Sequence, residues 1–252
     1  MPKPETNELE RRVQAGLKLE KRSEGDGLPL LVGHAAVFNQ ETVIRDFWFD
    51  YREKISPGAF AADIRANADV RALIDHRSET VIGRTKSGTL KLSEDSVGLL
   101  STIEPSDTTD GRDIVERIRR GDVDGMSIGF IVRKQVWTDI AEEDMELRDI
   151  QDVELIDVSP VTFPAYPQTD IAVRHMLRDP ELEEFEKIGK ILFRAKNNRL
   201  RDGDQEEADR LIEKLRGIMK RDKVVEAAPD AALIRMQQAE AELELLALEV
   251  LE

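Results

Sequence analysis

Met126-Ser127-Ile128-Gly129-Phe130-Ile131-Val132-Arg133-Lys134-Gln135-Val136-Trp137 reads as one long strand. It is rich in β-branched and aromatic residues, holds no proline, and is flanked by turn-forming residues at Asp124-Gly125. Such composition fits a pleated, half-buried surface. Leu147 to Val161 has the same texture and is the expected partner, across the acidic insertion Thr138 to Glu146.

Outward from this pair the pattern repeats on a smaller scale. Gln14 to Lys21 and Pro29 to Phe38 flank Glu24-Gly25-Asp26-Gly27, whose glycines suit a tight reversal, so a hairpin is expected. Pro57-Gly58 opens a short helix over Ala59 to Asn67, because proline fixes the φ that a first helical turn needs. Further strands are expected at Val70 to Ile74, Val81 to Arg84, Gly88 to Leu92 and Val97 to Ile103. Asp110 is the expected cap of a helix through Arg119, with Ile114, Val115 and Ile118 as its buried stripe and Gly121 as its stop. The texture predicts a mainly β fold with flanking helices, an α+β chain.

Beyond residue 175 the composition shifts to Glu, Lys, Arg, Leu and Ala. Asp179-Pro180 is an expected cap for a helix through Phe193, and Asp204 for another with Leu211, Leu215, Ile218 and Met219 on one face. A third helix begins near Asp230, where Ala232, Met236, Ala239, Leu243, Leu246 and Val250 follow heptad spacing over about two and a half repeats. The domain reading is an N-terminal tail over 1–13, a β domain over 14–175 and a charged helical extension over 176–252, an assembly or scaffold segment.

Charge and residue inventory exclude several functions. The 52 acidic residues against 37 basic ones leave a net charge of −15, and no basic patch is segregated, so no nucleic-acid partner is expected. No run of 18 uncharged apolar residues occurs, so no membrane partner is expected either. Cysteine is absent, which removes thiol nucleophiles and thiolate metal sites. With His34, His76 and His175 dispersed along the chain, no metal or other cofactor is expected.

The nucleophile candidates are therefore hydroxyls. Ser127 lies in Gly125-Met126-Ser127-Ile128-Gly129-Phe130, where glycines let another backbone approach; on its own this is also an ordinary strand serine. A serine needs a neutral imidazole to accept its proton. His34 is expected as a packed strand residue and His175 at a domain boundary, which leaves His76, at the end of the Val70 to Ile74 strand, as the best base. A third group should orient the imidazole. In Val153-Glu154-Leu155-Ile156-Asp157-Val158-Ser159, simple alternation places Asp157 on one face with Val153, Leu155 and Ser159, and Glu154 on the other. Both acids stand as candidates.

Five strings occur here in one order: Ile55-Ser56-Pro57-Gly58-Ala59-Phe60, Leu73-Ile74-Asp75-His76, Ile82-Gly83-Arg84-Thr85 with Ser87-Gly88-Thr89-Leu90, Gly125-Met126-Ser127-Ile128-Gly129-Phe130, and Leu155-Ile156-Asp157-Val158-Ser159 with Phe163-Pro164-Ala165-Tyr166. This arrangement, from about Gln14 to Val173, resembles the HK97-family prohead serine proteases of tailed bacteriophages. The resemblance implies an antiparallel β-barrel similar to herpesvirus assembly proteases. It implies a serine endopeptidase that processes capsid or scaffold protein, and itself, inside the procapsid in the host cytoplasm; the heptad spacing of the extension adds an expectation of self-association. It gives Ser127 as nucleophile and His76 as base. Asp157 takes the third position, one methylene shorter than the family's usual glutamate, and Glu154 stays as its alternative. Oxyanion donors are expected near Gly129 or beside Arg84, although Arg84 reads first as a surface ion pair. A competing expectation is a non-catalytic assembly protein that keeps the motifs and acts through its helical extension.

Overall fold

The computed structural model describes residues 9–22, 27–45, 50–140, 145–162, 179–196, 200–219, 237–241 and 243. Contacts divide the chain into two units, Met1–Val43 with Arg52–Tyr166, and Ile44–Tyr51 with Pro167–Glu252. In chain order the elements are β1 (Glu10–Ala15), β2 (Lys18–Glu20), β3 (Leu30–Val37), β4 (Thr42–Arg45), β5 (Asp50–Ile55), α1 (Ala61–Arg65), β6 (Arg71–Ile74), β7 (Arg77–Arg84), β8 (Leu90–Glu94), β9 (Gly98–Ile103), α2 (Thr109–Arg120), β10 (Gly125–Ile140), β11 (Met145–Val161), α3 (Asp179–Lys196) and α4 (Asp204–Met219). The chain is α+β, mostly strands with a few helices.

The long pair is the axis of the first unit. β10 and β11 run antiparallel from Gly125↔Val161 to Ile140↔Met145, longer at both ends than the sequence pattern, so much of the acidic insertion is strand. They belong to a seven-stranded sheet ordered β1-β10-β11-β5-β4, with β6 and β7 attached further along β11. A four-stranded sheet is ordered β2-β3-β9-β8. Among the described residues these sheets do not close into a barrel, and the pairing is not wholly antiparallel. β11 pairs in parallel with β5 over Leu147–Ile150 and with β6 at Asp157–Val158. On the edge of β11 away from β10 no single short strand spans its 17 residues, and the crossover through α1 returns the chain to that edge in the same direction.

Between those two neighbours the α1 segment covers the edge. Val153 N–H donates to Ala59 O at 3.1 Å, and Leu155 N–H donates to the Asp63 carboxylate at 2.7 Å. Asp63 also pairs with Arg133 of β10, and both side chains are 2% exposed. Arg133 reaches Asp152 as well, at 3.4 Å.

Gly16 splits what the sequence presents as one strand. Its φ is +110°, and the N–H groups of Gly16 and Leu17 both donate to Asp124 O at 3.0 Å. β1 thus joins β10 in one sheet while β2 forms the expected hairpin with β3 in the other; Glu24, Gly25 and Asp26 of its turn lie outside the described residues. The core between the sheets holds Leu31, Leu99 and Ile103 against Met126, Ile128, Phe130 and Val132, with Ile114, Val115 and Ile118 of α2 packed in. The cap of α2 is Thr108, whose hydroxyl accepts the Gly111 N–H, and not Asp110, which sits in the first turn. Gly121 closes the helix at φ +80°.

His34 is not packed. Strand alternation turns it outward, where Nε2 lies 2.8 Å from Asp95 Oδ2. Hydrogen bonding from His34, together with the Gly98 and Val97 N–H groups, holds the Asp95 carboxyl down at about 2.

In the second unit α3 packs on α4, with Ile188, Ile191, Leu192, Ala208, Leu211 and Leu215 buried. Asp204 turns its carboxylate back to the Arg201 N–H and to Arg194, rather than forward as a helix cap. Burial pushes that carboxyl up, and these donors outweigh it, so the net shift is downward. Of the heptad series only Ala239 and Leu243 fall within described helix, and both are buried.

Two outcomes test this account. Asp63→Ala strands a buried guanidinium and the Leu155 N–H, so urea unfolding should show a loss of about 3–5 kcal/mol, whereas Asp63→Asn, which keeps an acceptor, should lose less. Because the folded Asp95 carboxyl is depressed from 3.8 to about 2, its contribution is fully present above pH 3.8 and lost as pH falls towards 2. The melting temperatures of wild type and Asp95→Asn should therefore converge across that window.

Candidate active site

Ser127 lies near the start of β10, and its register partner on β11 is Ser159. Even-numbered residues of this part of β10, Met126, Ile128, Phe130 and Val132, face the core, so Ser127 and Gly129 face the other side of the sheet. On β11 the parity changes midway. Leu155 pairs with Phe130 and Asp157 with Gly129, leaving Ile156 without a partner on β10. This bulge puts Val153, Leu155 and Val158 all in the core. Asp157 and Ser159 consequently emerge on the face of Ser127, and not, as plain alternation has it, on the face of Val153 and Leu155.

His76 arrives from a different direction. The β6–β7 hairpin turns on Asp75 and His76, bracketed by the pair Ile74↔Arg77. Both turn residues have positive φ, +50° and +56°. That is the conformation of a two-residue primed turn, and Asp and His are among the few side chains that tolerate it. Thr80 bridges the irregular ladder beyond the turn by donating to Ile74 O or Arg77 O while accepting the Ile74 N–H.

The turn sets the imidazole between the two long strands. Nδ1 of His76 is 2.6 Å from Asp157 Oδ1, and Nε2 is 2.7 Å from Ser127 Oγ. Ser159 Oγ donates to the same Asp157 oxygen at 2.7 Å and lies 3.4 Å from Nδ1. The side chains of His76 and Asp157 are 5% and 6% exposed, and Ser127 and Ser159 are fully buried. The carboxylate only accepts, so Nδ1 carries the proton and Nε2 presents its lone pair to the Ser127 hydroxyl. The arrangement can remove a proton from Ser127 and stabilise the imidazolium that results.

Gly129 makes room for this. A Cβ placed on it would overlap Oδ2 of Asp157. The second glycine of the Gly-Met-Ser-Ile-Gly string is therefore the floor on which the carboxylate rests.

All three site residues expected from the sequence thus come together, and of the two acids it is Asp157 that meets the ring. Arg84 forms the surface ion pair expected first, held by Asp69 through contacts of 2.6 and 2.7 Å, and its backbone N–H donates to Thr89 Oγ1 at 3.0 Å. Sequence reading gave Ser159 and Gly129 no part in holding the acid. The only sequence signal for Ser159 is its spacing of two from Asp157, and Gly129 reads as room for a close backbone approach rather than for a carboxylate. Phe163-Pro164-Ala165-Tyr166 and His175 lie outside the described residues.

Comparison with known proteins identifies the family of the chain. No curated relative matches the chain at a significant level. Among solved structures, the bacteriophage T4 capsid assembly protease gp21 matches with a TM-score of 0.37 and 11% identity, covering 60% of this chain and 98% of that one. A family model for the caudovirus prohead serine protease matches residues 17–186, a span that contains Ser127, His76 and Asp157. The chain belongs to the caudovirus prohead serine protease family.

Proposed function

We propose that this chain is a serine endopeptidase of phage capsid maturation, in which Ser127 is the nucleophile, His76 the general base and Asp157 the group that orients His76. The observation that carries the proposal is the unbroken hydrogen-bonded series from Ser127 Oγ through both ring nitrogens of His76 to Asp157 Oδ1, with 2.7 and 2.6 Å steps. Ser127 Oγ attacks a peptide carbonyl while its proton passes to Nε2. The imidazolium, stabilised by Asp157, then gives that proton to the leaving amine. Water, deprotonated by the same Nε2, hydrolyses the acyl-enzyme and restores Ser127.

Family membership supports the biological setting: major capsid protein or scaffold as substrate, cleavage within the procapsid, and self-processing. The two-helix second unit, with further helical residues at 237–241, is the part of the chain suited to assembly contacts with itself or with scaffold. The non-catalytic alternative has to explain why a buried serine, an imidazole and a carboxylate are aligned at hydrogen-bond distance.

Coexpression with the phage's capsid protein decides between them. Wild type should generate defined fragments by gel and mass spectrometry, while Ser127→Ala and His76→Ala should leave capsid protein and chain intact. Asp157→Asn should slow cleavage by about 10⁴-fold, the effect of fixing the wrong tautomer. Gly129→Ala, which displaces the Asp157 carboxylate without touching Ser127 or His76, should cut kcat by a similar order while circular dichroism stays unchanged. Identical fragment patterns from wild type and Ser127→Ala would leave only the assembly role.

A further inference from the structure

The three groups of the site differ in how firmly the backbone holds them. Ser127 and Asp157 sit on adjacent strands within a continuous ladder. His76 sits in a two-residue turn, and a turn residue inherits every wobble of its hairpin. Something must fix that turn relative to β11, or the imidazole would sample positions from which it cannot bridge both partners.

Asp75 makes those contacts. Its N–H donates to Pro160 O at 3.0 Å, continuing the β6–β11 parallel edge past the last paired residues. Its carboxylate accepts the Thr162 N–H on Oδ1 at 2.8 Å and the Thr162 hydroxyl on Oδ2 at 3.3 Å. Both carboxylate oxygens are therefore engaged by one residue at the end of β11, five positions past Asp157. The turn is tied to β11 twice: Asp75 clasps its end and His76 leans on Asp157. Asp75 is exposed and its hydrogen bonds go to Thr162 and Pro160 rather than to Ser127 or Asp157, so its effect on the site passes through His76.

Building on the peptidase reading of the Ser127–His76 pair, we propose that Asp75 is a positioning residue, whose carboxylate clasps Thr162 and thereby fixes the imidazole of His76 between Asp157 and Ser127. The residue type follows from two demands at once: tolerance of positive φ and a side-chain acceptor for a neighbouring strand end. Asn meets both. Gly meets only the first.

The comparison of Asp75→Asn with Asp75→Gly in the full-length chain tests this. Gly keeps the backbone conformation and removes the clasp. It should lower kcat by about ten- to a hundredfold, as a misplacement of the order of 1 Å does, and leave KM unchanged. Asn should restore kcat to within about threefold of wild type. Proton NMR supplies a readout independent of turnover: the low-field resonance of the His76 Nδ1–H should be sharp in wild type and Asp75→Asn and broadened or lost in Asp75→Gly. A merely structural role would lower the melting temperature without moving kcat or that resonance, and either result overturns the proposal. A wild type that neither cleaves protein nor reacts with a fluorophosphonate at Ser127 sinks the peptidase reading instead, while the resonance still reports on the clasp.

Discussion

Which way the Asp157 carboxylate points is settled by one residue without a partner. β11 must bury Val153, Leu155 and Val158 in one core, and the spacing of two that a regular strand imposes cannot place Leu155 and Val158 on the same side. The bulge at Ile156 resolves the conflict by changing parity between them. Asp157 and Ser159 are thrown onto the opposite face, where Ser127 stands. Core packing and the site are therefore one constraint: a β11 without the bulge would have to bury a carboxylate among apolar side chains or give up Leu155, and neither is tolerable.

Everything around Asp157 follows from its short reach. Gly129, its register partner, carries no side chain, so the carboxylate can lie flat against β10. Ser159 donates to the oxygen that meets His76, so the carboxylate is fixed by a hydroxyl from its own strand as well as by the ring. Behind the same stretch of β11, Asp63 and Ala59 accept the N–H groups of Leu155 and Val153, and Arg133 is neutralised without leaving the interior. The α1 segment thus holds the strand flat where neither β5 nor β6 reaches it, two residues before the acid is needed.

The long strand pair, the helix stripe Ile114, Val115 and Ile118, and the meeting of Ser127 with His76 were legible because each rests on local pattern or on ordered motifs. The facing of Asp157 was not. Alternation is a rule for regular strands, and the shift at Ile156 depends on what Phe130 and Gly129 do on the neighbouring strand, which no reading of β11 alone contains. The same holds for Gly16: its positive φ is a property of the corner between two sheets, and in sequence it is simply a glycine inside a stretch of alternating polar and apolar residues. His34 failed for a simpler reason, since an apolar neighbourhood in sequence does not say which of two faces a side chain takes. The antiparallel barrel implied by the family resemblance departs from the described sheets at β5 and β6, which the α1 crossover makes parallel to β11.

The division of labour between strands and turn gives the site its logic. Ser127 and Asp157 come from paired strands, whose ladder fixes them to each other. His76 reaches both from the turn between β6 and β7. A turn of two left-handed residues is short enough to be stiff, and it confines the choice at both positions to a handful of side chains. Placing Asp before His uses that restriction twice, since the residue that suits the backbone also carries the acceptor that ties the turn to the end of β11. The geometry at Nε2 is then set by β11 on two sides, and β10 has only to present the hydroxyl.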